Sequence, residues 1–171
     1  EVLELKKVFF NKDFSYNTRV LIQFDTDEIN SFLTSSNVSS DYKTNLRLWE
    51  TKGTSGLSET YTIAAYPLSE SWDEGVGKEG DVPKTTDGVS WKNRHYPAGG
   101  SEVNWTTAGG TYISGDEVTQ SFSAESPDLN INITSIAKKW FSGENNNYGL
   151  LLRLSGSREQ STGSFEDLKF F

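Results

Sequence analysis

The run Arg19-Val20-Leu21-Ile22-Gln23-Phe24-Asp25 decides the fold class. Val20, Ile22 and Phe24 alternate with Leu21 and Gln23, so in an extended chain they share one face. The same period of two recurs along the sequence. Leu46 and Leu48 share a face, with Arg47 and Trp49 opposite. Tyr61, Ile63 and Ala65 repeat the pattern, then Leu129, Ile131 and Ile133, then Leu150, Leu152 and Leu154. Turn-forming clusters lie between these runs: Lys52-Gly53-Thr54-Ser55-Gly56, Gly99-Gly100-Ser101, Gly109-Gly110 and Glu144-Asn145-Asn146-Asn147. Short alternating strands between such turns predict an all-β domain, a jelly roll or β-sandwich of two antiparallel sheets.

Two segments break the period and predict one or two short helices. Thr26 to Leu33 has a capping residue in Thr26 and acids in the first turn. In Thr134 to Gly143, Thr134 can cap, Ile136 and Trp140 lie four apart on one face, and Gly143 suits the position past the end. From about Trp72 to Asp116 the chain is Gly-rich and weakly periodic, and it carries Trp72, Trp91 and Trp105. So long a connection inside a compact domain is either functional or built of irregular strands. No internal repeat or linker divides the chain, and residues 1–171 read as a single domain.

Composition narrows the function classes. Only 34% of the 171 residues are hydrophobic, but 13% are aromatic, which predicts a core of few, large side chains. The formal net charge of -8, with no basic run beyond Lys6-Lys7 and Lys138-Lys139, argues against nucleic acid and against an anionic membrane surface. No apolar stretch reaches the ~20 residues of a membrane-spanning helix. The absence of cysteine removes disulfides, thiolate metal sites and cysteine nucleophiles together. The chain starts at Glu1 without methionine and stops within a strand-like run, Ser164 to Phe171, so further sequence is expected on both sides.

The order of these pieces resembles the DNRLRE family of secreted β-sandwich domains. Arg19 to Asp25 is similar to that family's "R-x-L-I-x-F-D" strand, and Leu46-Arg47-Leu48-Trp49 to its "L-R-L-Y" strand. Ser69 to Glu74 resembles its "S-x-S-W-D-E" segment, and Val89-Ser90-Trp91 its "V-T-W" pair. Asp128 to Gly143 is similar to its helix segment, and Tyr148 to Leu152 to its "N-G-L-L-L" strand. The segment Pro83 to Trp91 looks more specifically like domains in structural proteins of tailed phages. The family's opening segment is not recognisable before Lys6, and its last strand usually continues past the position of Phe171. The resemblance implies a non-catalytic jelly-roll module of surface or polysaccharide-degrading proteins, some of whose relatives bind polysaccharide. In phages it implies a fibre, collar or capsid decoration. Closing strands would then be missing here or supplied by a neighbour.

Candidate sites follow from residue chemistry. His95, the only histidine, would need a nearby serine to form a nucleophile–base pair, and no G-x-S-x-G elbow is present. A glycosidase needs two carboxyls facing each other across a cleft. Asp73 and Glu74 are adjacent and would point apart in a strand, leaving only a distant partner such as Asp116 or Glu117. No enzyme is expected. No cofactor is expected either, apart from a structural calcium ion held by Asp73, Glu74 and Asp81, with Glu79 nearby. Asp13, Asp25, Asp27 and Glu28 form a second oxygen-rich set. For carbohydrate binding the candidates are Trp105 and Tyr112, which lie where the family pattern has no counterpart, and Tyr96. Trp72, Trp91 and Trp140 match family positions and are expected in the core. The Asn-x-Ser/Thr triplets at Asn37, Asn104 and Asn132 are read as chance.

The expected role is a structural and adhesive domain of a phage virion surface protein. It would act through self-association or contacts with neighbouring virion or surface proteins, on the virion surface or outside the cell. The alternative is a carbohydrate-binding module of a secreted or cell-surface protein, with polysaccharide as partner.

Overall fold

A computed structural model of the chain describes residues 3–10, 14–35, 41–50, 61–77, 81–83, 85–97, 100–122, 128–159 and 166–170. The turn Lys52–Gly56, the triplet from Asn37, and Asp13 and Glu79 lie outside these residues. The strands are β1 (Glu4–Phe10), β2 (Phe14–Asn17), β3 (Val20–Ile22), β4 (Asn45–Leu48), β5 (Tyr61–Pro67), β6 (Asn93–His95), β7 (Val103–Asn104), β8 (Val118–Phe122), β9 (Leu129–Asn132), β10 (Leu150–Leu154) and β11 (Glu166–Phe170). Helix α1 (Thr26–Ser35) follows β3, α2 (Thr134–Phe141) follows β9, and a single turn, α3 (Gly156–Glu159), follows β10.

All the strand pairings are antiparallel. The central sheet has the order β3-β10-β5-β8, and it faces β11-β1-β2 and the pair β4-β9. The alternation read from the sequence places the inner core. Val20, Ile63, Ala65, Leu150, Leu152 and Leu154 on the central sheet meet Leu5, Leu46, Leu129 and Ile131 from the opposing strands. Ile136 of α2 and Phe122 complete this cluster. Each of the Val, Leu, Ile and Phe side chains contributes roughly 1.5–3 kcal/mol by leaving water. The fold is an all-β sandwich with short helices. Its last strand, β11, pairs with β1 from Glu4↔Phe170 to Val8↔Glu166, so the two ends of the chain meet each other rather than leaving β11 unpaired.

The helices differ in detail from expectation. Asp25, not Thr26, caps α1: its Oδ1 accepts from the N–H groups of Asp27 at 2.9 Å and Glu28 at 3.2 Å. Thr134 is the first residue of α2 and makes no cap. Its Oγ1 accepts instead from the Thr44 N–H at 2.9 Å, which ties the helix to the start of β4. Gly143, at φ 75°, ends α2 in the left-handed conformation.

The long middle segment is a third layer. β10 is buried at every position, so its outer face is covered as well as its inner one. Leu151 and the β5 residues Ala64 and Tyr66 point outward and pack with Leu68, Trp72, Val89, Trp105, Tyr112 and Tyr148. Leu68, Trp72, Val89, Trp105 and Tyr112, with Tyr148, therefore cover the outer face of the central sheet and build a second small core. Gly110, at φ 105°, lies where any β-carbon would collide with the Leu151 side chain, so this close approach requires glycine.

Candidate functional site

A groove of about 810 Å³ runs along β3, an edge strand of the central sheet. Leu46 and Leu48 of β4 line its inner side, while Trp72, Glu74, Ser90 and Trp91 of the third layer line its outer side. This volume lies within the ~300–1,000 Å³ typical of ligand sites. Trp91 is its most available aromatic surface, with 45% of the residue exposed.

A buried ionic network holds Trp91. The Arg19 guanidinium stacks on the indole at 4.7 Å. Arg19 Nε and Nη2 donate to the two carboxylate oxygens of Glu159 at 2.8 and 2.9 Å, and Nη1 donates to the Gly109 carbonyl at 2.7 Å. The Gly109 N–H in turn donates to the Trp91 carbonyl at 2.6 Å. A β-carbon on Gly109 would sit 2.6 Å from Arg19 Nη1 and 2.8 Å from the Trp91 ring, so glycine is required there too. Glu159 also pairs with Arg153 Nη2 at 3.2 Å, and Arg153 Nη1 donates to the Tyr112 hydroxyl at 3.0 Å. One carboxylate thus bridges two buried guanidinium groups, and α3 exists to bring it back over the sheet.

Neighbouring bonds fix the layer. Trp72 Nε1 donates to the Tyr148 carbonyl at 2.9 Å, and Trp105 Nε1 to the Ser90 carbonyl at 3.1 Å. Thr106 donates to the Glu70 carboxylate through Oγ1 at 2.6 Å and through its N–H at 3.1 Å. Burial works against the Glu70 charge, but the hydrogen bonds from Thr106 and Thr111 and the Arg94 charge outweigh it and hold this carboxyl below its usual range. Tyr66 is pushed up to about 12, first by burial and then by its hydrogen bond to Glu117.

The residues expected to bind carbohydrate are placed differently. Trp105 lines the groove but is only 6% exposed, packed in the outer core with its N–H satisfied, so it offers no stacking face. The Tyr112 ring lies 4.3 Å from that of Tyr66 and its hydroxyl faces Arg153, away from the groove. Tyr96 is half-buried and does not line it. Trp91, expected in the core, is the exposed aromatic of the groove instead. The signal that could have found it was Arg19, an arginine abutting a buried strand in need of a partner.

The acidic candidates do not converge. Asp73 is hydrogen-bonded to His95 Nδ1. Asp81 accepts from the Thr85 hydroxyl at 3.4 Å, and Glu74 lines the groove without either of them. Among the described residues, no three His, Asp or Glu side chains are grouped to hold a metal ion. Asp116 accepts from Lys139 at 2.7 Å and from Asn145 at 3.2 Å, which joins the third layer to α2. No helix among the described residues is long and apolar enough to cross a membrane.

No protein-family model, curated protein or solved structure matches the chain.

Proposed function

We propose that this chain is a non-catalytic recognition module that binds polysaccharide in the groove along β3, with Trp91 as its stacking platform. The observation that carries the reading is an exposed indole held rigidly at the wall of a groove by Arg19. The electron-rich face of such a ring suits the partly positive C–H groups of a sugar. Thr18, Gln23, Glu74 and Ser90 line the same groove and supply donors and acceptors for hydroxyl groups. Glu74 is the only carboxylate among the described lining residues, which favours binding over glycoside cleavage, since cleavage needs two.

The test is retention of the purified domain on a panel of bacterial and algal polysaccharides, with and without EDTA. Retention on at least one glycan, unaffected by EDTA and weakened by roughly 30-fold in Trp91→Ala, is the expected result. The same variant should still fold, with a cooperative melt somewhat below the parent's because the Arg19 stacking is lost. Retention untouched by Trp91→Ala, or none on any glycan, would overturn the reading.

A second reading places the chain as a structural or adhesive part of a virion or cell surface, working through contacts with its own copies or with other surface proteins. An amphipathic helix with no buried residue favours it.

A further inference from the structure

Ten residues of α1 form a helix about 15 Å long in which no residue is buried. Yet Ile29, Phe32 and Leu33 make an apolar stripe at helical spacing, and Phe32 is 63% exposed. A short helix does not hold in water by propensity alone and ordinarily draws its stability from packing an apolar face. Beside it lies a second groove, of about 300 Å³, between α1 and α2. Tyr42, Ala137, Trp140 and Phe141 line it together with the stripe. The stripe borders this groove and leaves it unfilled.

Charge identifies what fits. The chain carries a net charge of -8, but this groove has basic residues at its rim: Lys43 and Arg47 line it, and Lys138 lies over the Tyr42 ring at 5.8 Å. All three are exposed. The first turn of α1 carries the opposite sign in Asp27 and Glu28, also exposed. Among the described residues, no ion pair joins that turn to the basic rim within the chain. Helix and groove thus present one acidic and one basic patch flanking apolar surface.

We infer that α1 of one copy docks into the α1–α2 groove of a second copy, and the reverse, in a two-fold dimer of this chain. In a two-fold dimer each copy offers both the acidic helix and the basic groove, so that every patch meets its complement with the smallest closed assembly. Ile29, Phe32 and Leu33 fill the partner copy's groove, while Asp27 and Glu28 face its basic rim. Two short helices bury less than the roughly 1,200–2,000 Å² of a standard interface, so the association is weak, with a dissociation constant on the order of micromolar or above. This inference gives the assembly reading a surface and a partner, and it does not depend on the glycan groove.

Sedimentation equilibrium of the full chain, from about 5 µM to about 1 mM, tests it. A monomer–dimer equilibrium is expected, weakened at least tenfold by Phe32→Asp and by either charge reversal, Asp27→Lys with Glu28→Lys or Lys43→Glu with Lys138→Glu. Mixing the two charge-reversed variants should restore the dimer, because each then presents what the other lacks. All three variants alter exposed positions, and unchanged melting checks that they fold. A monomer at every concentration would overturn both the docking and any self-assembly. A dimer that survives Phe32→Asp, or a mixture that fails to restore association, would overturn the docking at α1 while leaving self-assembly through another surface.

Discussion

The two faces of the central sheet are covered in different ways. On the inner face, strands pack on strands: Leu129 and Ile131 of β9 and Leu46 of β4 meet Ile63, Leu150 and Leu152 in a continuous apolar cluster. On the outer face the described residues form almost no regular structure beyond the ribbon β6–β7 and a series of turns. Its cover is made of a few large aromatics, Trp72, Trp105 and Tyr112, anchored by polar bonds to backbone and by the Arg19–Glu159–Arg153 network. The inner core is held by apolar burial, which has no directional requirement. The outer layer depends on particular pairs, and so it can hold Trp91 in one orientation at the groove.

That contrast can be broken most directly at Trp105. Trp105→Ala should cost about 4 kcal/mol in urea unfolding, the range expected for truncating a core tryptophan, although this residue lies outside the sandwich proper. A loss below about 1 kcal/mol would mean that the outer cover packs loosely. Glu159→Gln comes next. It leaves two guanidinium groups with side-chain exposures of 11% and 8% short of a counter-charge, and removing one partner of a buried pair typically costs about 3 kcal/mol.

The third expectation concerns alkaline pH. Because the Tyr66 phenol is raised to about 12 in the folded state, the stability it contributes is complete below pH 10 and is lost as pH rises from about 10 to 12. Tyr66→Phe should flatten that part of the stability curve. The smallest effect belongs to the surface. Lys92 and Glu102 pair at 2.9 Å with exposures of 63% and 44%, and Lys92→Ala should change stability by less than about 1 kcal/mol, as is usual for an exposed pair.

The inner face was legible because burial on one side of a strand writes itself as alternation. Leu129, Ile131 and Ile133 needed no further information, and neither did Leu150, Leu152 and Leu154. The outer layer left a fainter trace. The run Leu150-Leu151-Leu152 is apolar at every position, the pattern of a strand buried on both faces, a signal that a reading of alternate positions passes over. The long middle segment itself has no period because its backbone bonds go to side chains and turns, as Glu70 does with Thr106. The site was harder still. Arg19 and Glu159 stand 140 residues apart, and no local pattern announces that pairing. Trp91 was expected in the core because Val89-Ser90-Trp91 resembles a family pattern, and the stacked Arg19 shows how it stays exposed and ordered.

Hydrogen exchange on the intact chain tests the central claim, that the middle segment is a packed layer rather than a loop. The N–H groups of Ser69, Trp105 and Ile113 donate to the carbonyls of Thr111, Lys92 and Pro67, each at 3.0 Å. These amides should be protected to within about tenfold of those in β10, since both belong to one cooperative unit. Exchange at those three amides close to the rate of an unstructured peptide, with β10 still protected, would contradict the account.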